Sequence, residues 1–480
     1  MARVEQTPGF KNGKVNTVKQ TAKDWFLKSA PFAYPKGPFT EEEISTNAQD
    51  AFEKAVSEKN VRRMRKTLRW GAGIGLPILA TLGGAGYYAD THPQETSDFL
   101  TETLGREKAV WIEEQYFNTQ DKFTKFKYQI GLGPNEKPFK TPTQFISPIE
   151  PEAPQLSEQA TTSQNINPVL LDESVLHVLP NPIPEVKKPK PFTPPDVHVL
   201  YSNPLPGEGS WVIDGLPTTK EDLIMAKTFI RPDGSRPYAN TVIVIMDSRR
   251  VRLHMVGGKG EARVGGGNGP GKVPDSDLSN LLLVMNGGFQ LWHAPQWGAY
   301  LDGNVYQALK PGYASTVVYK DGSIKIGTWG EGELAEKTED MEAVRQNSVL
   351  LVKNGEITPA AKNEKDTGTW GLIAANSPDF ITWRSAIGLL EDGNLMVAFG
   401  SSMSPYNLAA SLKAAGAYTA MQLDINNNWL KGGVADGHNE RGELVLGKIM
   451  DGLNTGSDLL KNPQTRDILY ITRDDDSRFK

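Results

Sequence analysis

Short apolar, β-branched runs recur through the C-terminal half of the chain, at 241–246, 251–256, 281–285, 315–319, 348–352, 386–390, 395–399 and 421–423. Several are joined by Asp302-Gly303, Asp321-Gly322, Asn354-Gly355 and Asp392-Gly393, pairs that accept the positive φ angles of tight hairpin turns. The pattern therefore predicts strands, most of them antiparallel. One helix stands out, with Ser404 as N-cap, Pro405 in the first turn, Leu408 and Leu412 on one face and Gly416 just past its end. It leads into the run at 421–423. The expected fold class is α+β: mainly antiparallel sheet with packed helices in a C-terminal domain spanning 207–480.

The N-terminal half has a different texture. Residues 70–89 form an uncharged run of 20, about the length a helix needs to cross a bilayer. Arg62, Arg63, Arg65, Lys66 and Arg69 precede it, and Asp90, Glu95, Asp98 and Glu102 follow. That asymmetry predicts a single transmembrane helix with its N-terminus in the cytosol and the C-terminal domain outside. Tyr87-Tyr88-Ala89 is a poor cleavage site, so an uncleaved signal-anchor is expected rather than a signal peptide. A glycine-rich buried helix is the alternative, since six glycines and Pro77 dilute the run. Gly71 and Gly75 have the spacing that lets two such helices approach as a homodimer.

Around this segment the expected organisation is a polar cytosolic tail (1–39), a basic juxtamembrane helix (40–69), the span itself (70–89), a helical stalk (90–133) and a linker (134–206). Sixteen of the 33 prolines fall between Pro134 and Pro206, a density that suits an extended tether better than a packed core. The polar helix at 40–69 opens on Thr40-Glu41-Glu42-Glu43, a capping-box pattern.

Charge and composition narrow the partners. A net charge of −5 gives no sign of nucleic-acid binding. The absence of cysteine excludes disulfides, thiolate zinc sites and a cysteine nucleophile. His254, His293 and His438 lack metal-ligand spacing, and no cofactor is implied. A calcium site built from aspartates stays open, with no loop motif to place it. The glycine-rich stretch 265–271 lacks the Gly-Lys-Ser/Thr of a phosphate-binding loop and is read as a loop.

Three places put a polar side chain beside an apolar run: Asn286-Gly287-Gly288-Phe289, Arg384-Ser385-Ala386-Ile387-Gly388, and Ala420-Met421-Gln422-Leu423-Asp424. A sheet edge fixes such side chains while the adjoining loops admit substrate. Each also has a plainer reading: a turn at Asn286-Gly287, a surface ion pair at Arg384, and a strand cap at Asp424. In order and spacing, however, the three together resemble the phosphodiester glycosidase family, with Gly-Glu-Gly-Ser-Trp at 207–211 and Arg-Gln-Asn-Ser-Val at 345–349 extending the likeness.

The resemblance implies hydrolysis of a sugar phosphodiester and places Asn286, Arg384 and Asp424 on the family's active-site positions. In that picture Arg384 holds the phosphate, Asn286 meets a sugar hydroxyl or acetamido group, and Asp424 works at the anomeric carbon. Gly287, Gly288, Asn426, Trp429 and Trp297 are the candidate substrate-binding positions, and Trp292 is a further indole of the kind that stacks on sugar; core packing is the competing role for each tryptophan. Where the family carries a run of glycines ending in serine, this chain has Ile425-Asn426-Asn427-Asn428-Trp429. The expected function is thus a membrane-anchored extracytoplasmic hydrolase of sugar phosphodiester or envelope glycan. The alternative is a catalytically silent glycan-binding or scaffold subunit of a membrane or envelope complex.

Overall fold

The computed structural model describes residues 106–146, 191–291, 296–362 and 381–474. Its seventeen strands, numbered along the chain, form three sheets. The largest runs β1 (Met225–Ile230), β2 (Thr241–Met246), β13 (Leu395–Met403), β12 (Thr382–Leu390), β14 (Ala417–Ile425), β10 (Leu350–Lys353) and β11 (Glu356–Ile357). The second runs β16 (Leu444–Lys448), β15 (Gly432–His438), β4 (Leu281–Asn286), β17 (Ile468–Arg473) and β3 (Val251–Val256). The third runs β6 (Asn304–Gln307), β5 (Ala299–Leu301), β9 (Met341–Gln346), β7 (Ala314–Tyr319) and β8 (Ile324–Thr328).

Local sequence explains many of the joints. Asp302-Gly303 turns β5 into β6 with both φ angles positive (44° and 73°), and Asn354-Gly355 does the same between β10 and β11 (53° and 73°). Side-chain alternation then sorts each strand between two cores. Along β2, Val242, Val244 and Met246 join a central cluster, while Ile243 and Ile245 face outward to a second. Leu283 and Met285 of β4, Ala299 and Val318 of the third sheet, and Val397, Phe399 and Met421 of the first all enter that central cluster. One core therefore lies among the three sheets, and the working strand ends converge around it.

Helices are few. Besides α1 (Arg106–Gln129), α2 (Pro359–Lys362), α3 (Pro405–Ala414) and α4 (Ser457–Lys461), the described residues contain only short 3-10 turns. α3 follows the sequence closely. Ser404 accepts a hydrogen bond from the Asn407 amide at 3.1 Å, Leu408 and Leu412 are buried against the outer face of the large sheet, and Gly416 has φ +88°. α1 docks on the domain through Asp121, whose carboxylate takes two hydrogen bonds from Arg236 at 2.8 and 3.0 Å, and through Tyr128, 5.0 Å from Tyr238 between ring centroids.

The α+β expectation with a transmembrane helix is thereby corrected. The described chain is mostly antiparallel sheet with few helices, because three sheets cover one another where packed helices were expected. No helix among the described residues is long and apolar enough to cross a membrane. The run at 70–89 lies outside the described residues, as do the tail and the basic segment before it and most of the proline-rich linker.

Candidate active site

β4 ends at Asn286, and its turn into Gly287-Gly288 is stitched to the end of β14. The Asn286 amide donates to Gly287 O and to Ser385 Oγ, each at 2.9 Å, and its Oδ1 accepts from Lys431 N at 3.2 Å. Ser385 Oγ in turn donates to Asp424 O at 2.9 Å, and Asp424 N donates to Gly287 O at 3.0 Å. Asn286 and Asp424, 138 residues apart in sequence, therefore belong to one network.

Asp424 is 1% exposed. Its Oδ1 accepts from Ile425 N at 2.9 Å and its Oδ2 pairs with Arg466 Nη1 at 3.0 Å. Burial pushes the carboxyl up to about 6, against the pull of the Arg466 guanidinium. That guanidinium lies 4.0 Å from the ring centroid of Trp429, so the indole of the asparagine-rich loop stacks on the cation that holds the acid. Asn426 shapes this loop: it takes φ +74°, its Oδ1 accepts from Thr382 Oγ1 at 2.8 Å, and its carbonyl accepts from Trp429 N at 3.1 Å.

The glycine turn is held by a second ion pair. Asp467 O accepts from Gly287 N at 2.9 Å, and Asp467 Oδ2 accepts from Gly288 N at 3.1 Å and from Arg345 Nε at 2.9 Å. Arg345 also donates to Phe289 O and, at 2.7 Å, to Gln346 O. Asn347 completes the clamp, accepting from Phe289 N at 3.1 Å and donating to Gln422 O at 2.8 Å. A Cβ on Gly287 would lie 2.1 Å from Asp467 Oδ2, and one on Gly288 would lie 2.7 Å from Arg345 Cζ. The bare backbone at these positions is thus required by the buried ion pair itself.

A third buried carboxyl completes the cluster. Glu261 accepts from Leu291 N at 3.2 Å and from Gly258 N at 3.4 Å. Burial first, and then the neighbouring Asp467, hold it well above the usual carboxylate range, with Arg345 opposing.

The remaining sequence candidates fall elsewhere. Arg384 is fully buried, donating from Nε to Met403 O at 2.9 Å and from Nη1 to Gln422 Oε1 at 2.7 Å. It shares a face of β12 with Ala386, which packs toward α3, whereas Ser385 and Ile387 face the central core. The structure therefore joins Asn286 to Asp424 and gives Arg384 partners on the other face. Trp297 is 1% exposed, with its ring edge-on to Phe289 at 5.3 Å and Tyr313 at 6.4 Å. Trp292 and His293 lie outside the described residues. His254 stacks on Tyr470 at 4.5 Å. Among the described residues, no group of three or more His, Asp or Glu is placed to hold a metal ion.

Glu261, Arg345, Arg466 and Asp467 were not among the sequence candidates. The signal existed for three of them: Arg345 opens the Arg-Gln-Asn-Ser-Val motif at 345–349, and Arg466-Asp467 stands immediately before the apolar run of β17, the same arrangement that singled out Arg384.

Strand ends from three sheets, meeting at a buried set of carboxyls and guanidiniums beside an Asn-Gly-Gly turn, define a sheet-built domain with a buried acid cluster. Residues 279–424 match the family model for phosphodiester glycosidase, a family whose domains are hydrolases. Among solved structures, the catalytic domain of zebrafish N-acetylglucosamine-1-phosphodiester alpha-N-acetylglucosaminidase, auto-inhibited by its pro-peptide, is similar at 16% identity over 54% of this chain and 87% of that chain, with a TM-score of 0.35. A hypothetical protein from Synechocystis is similar at 10% identity over 54% of this chain and 64% of that one (TM-score 0.31). A putative exported protein from Burkholderia pseudomallei is similar at 12% identity over 49% and 74% (TM-score 0.24). No curated protein matches the sequence. Glu261, Arg466 and Asp467 lie outside the matched stretch.

Proposed function

We propose that this protein hydrolyses a glycosyl 1-phosphodiester, breaking the bond between the anomeric carbon and the phosphate oxygen and adding water to release free sugar and a phosphate monoester. The observation that carries this reading is the buried Asp424, bonded to Arg466 at 3.0 Å and tied to the Asn286-Gly287 turn at the edge of the matched domain. A phosphate ester departs as a stable anion, so the chemistry asks little of a general acid. It does ask for negative charge at the developing oxocarbenium centre, which Asp424 supplies in the form it takes above about pH 6. Arg466 is the cation nearest this acid. Its Nε and the Oε1 of Gln290 are buried without a protein partner, which suits contact with a polar ligand.

The assay is release of sugar from a sugar 1-phosphodiester by the full chain. Asp424→Asn is expected to lower the rate by about 100-fold or more, and an undiminished rate in that variant would refute the assignment. One observation favours a second reading, glycan binding without turnover: Asp424 is 1% exposed and Trp429 lies over its partner. Binding of envelope glycan by a wild-type chain that releases no sugar would establish that reading. The proposal also sets the domain outside the cytosol, on the strength of the basic residues before 70 and the acidic ones after 89. A reporter fused after Lys480 that works only in the cytosol would overturn this placement.

A further inference from the structure

The buried cluster holds three carboxyls, those of Glu261, Asp424 and Asp467, against two guanidiniums, those of Arg345 and Arg466. Fully ionised it would carry one uncompensated negative charge in a place nearly closed to water, an arrangement proteins avoid by keeping a proton. Among the described residues the surroundings do not supply the missing cation. Lys431 is paired with Asp458, Lys259 on the loop of Glu261 is exposed, and Arg384 bonds to Met403 O and Gln422 on the other face of β12.

Of the three acids, Asp467 is locked to Arg345 by two hydrogen bonds and Asp424 to Arg466 by one. Among the described residues Glu261 has only backbone donors, Leu291 N and Gly258 N, and it faces Asp467 and Arg345. These two donors join separate pieces of the site. Gly258 belongs to the loop that packs on Thr465 and Gln464, next to Arg466, while Leu291 ends the turn that begins at Asn286.

We propose that Glu261 is a positioning residue of this site: it clamps the 257–271 loop to the 286–291 turn, and by holding one proton it keeps the buried set neutral so that Asp424 stays ionised. The claim about Asp424 rests on the hydrolase reading above; the claim about the proton does not. The raised proton affinity of Glu261, pushed up to about 8, agrees with it, because Asp424 then ionises near 6 and the set is neutral between the two values.

The test compares the full wild-type chain with Glu261→Gln, which is neutral at every pH. A group whose folded-state affinity for the proton is raised contributes stability at low pH that is lost as pH rises through the folded value. Wild-type melting temperature is therefore expected to fall as pH rises from the ordinary carboxyl value of 4.5 to about 8 and to level off above it; Asp424 shares the fall below about 6, and the part between about 6 and 8 is expected to flatten in Glu261→Gln. Parallel curves would overturn the proposal. In the activity profile, ionised Glu261 puts one uncompensated negative charge into the clamp that sets the turn, so the wild type is expected to lose kcat/KM as pH rises through about 8, Glu261→Gln to keep its rate there, and Glu261→Asp to restore a titrating limb. A chain that shows the melting difference but releases no sugar sinks the hydrolase reading and leaves the proton assignment standing. Should Glu261→Gln not fold, the infrared band of a protonated carboxyl in the wild type, lost as pH passes about 8, decides the matter, and its absence at pH 7 overturns the proposal.

Discussion

Arg345 and Arg384 are both buried, at 1% and 0% exposure, and both sit near strand ends, yet they are held by opposite means. Arg345 meets a full negative charge in Asp467, and its remaining donors reach Phe289 O and Gln346 O. The partners of Arg384 include two neutral acceptors, Met403 O and Gln422 Oε1. The difference teaches which arginine belongs to the acid site: the guanidinium that balances a buried carboxylate also sets the backbone of the Asn286–Phe289 turn, and this is Arg345, on a different sheet from Arg384.

Placing methionine at each position separates the two roles. Arg345→Met strands Asp467 in the interior and is expected to cost about 3–5 kcal/mol in urea unfolding. Arg384→Met strands the neutral acceptors Met403 O and Gln422 Oε1 and is expected to cost about 1–3 kcal/mol. Equal costs would erase the distinction. A smaller contrast lies in the glycines. Gly288→Ala pushes a methyl into the Arg345 guanidinium and is expected to cost about 1–3 kcal/mol. Gly265→Ala meets nothing within 4 Å and is expected to stay within about 0.5 kcal/mol.

A modest effect on stability, and an informative one, concerns the indole over Arg466. Trp429→Ala removes a cation–π contact of about 1 kcal/mol. It also admits water to the Arg466–Asp424 pair. Since burial is what raises the proton affinity of Asp424, this variant is expected to lower it. In the wild type, activity falls as pH drops through about 6 and Asp424 takes up a proton; in Trp429→Ala that acid limb moves to lower pH. A pH–rate profile checks it.

Much of the strand pattern could be read directly from the chain. β2 and β3 begin and end where the apolar runs at 241–246 and 251–256 do, and the Asp-Gly and Asn-Gly pairs fall in the turns. The strands that escaped notice are those whose apolar character is interrupted. β1 reads Met-Ala-Lys-Thr-Phe-Ile, with Lys227 and Thr228 among its apolar residues, and β15 opens on Gly432-Gly433, where glycine lets Phe399 and the Thr455 carbonyl come close. Fold class was misjudged because α3 is a strong local signal, whereas nothing in an amphipathic strand says whether its buried face meets a helix or another sheet. Within the site, the motifs pointed to Asn286 and Asp424, which the fold brings together, and to Arg384, which bonds on the other face of its strand.

The chain's own periodicity and turn residues determine where strands start and stop, because backbone sterics and side-chain alternation act over a few neighbours. The charge balance of the site is another matter. Glu261, Arg345, Asp424, Arg466 and Asp467 come from segments as much as 206 residues apart, and their proton affinities arise from burial and from one another. Desolvation and Coulomb energy depend on distance in space, so these properties exist only once three sheets have closed around the same core.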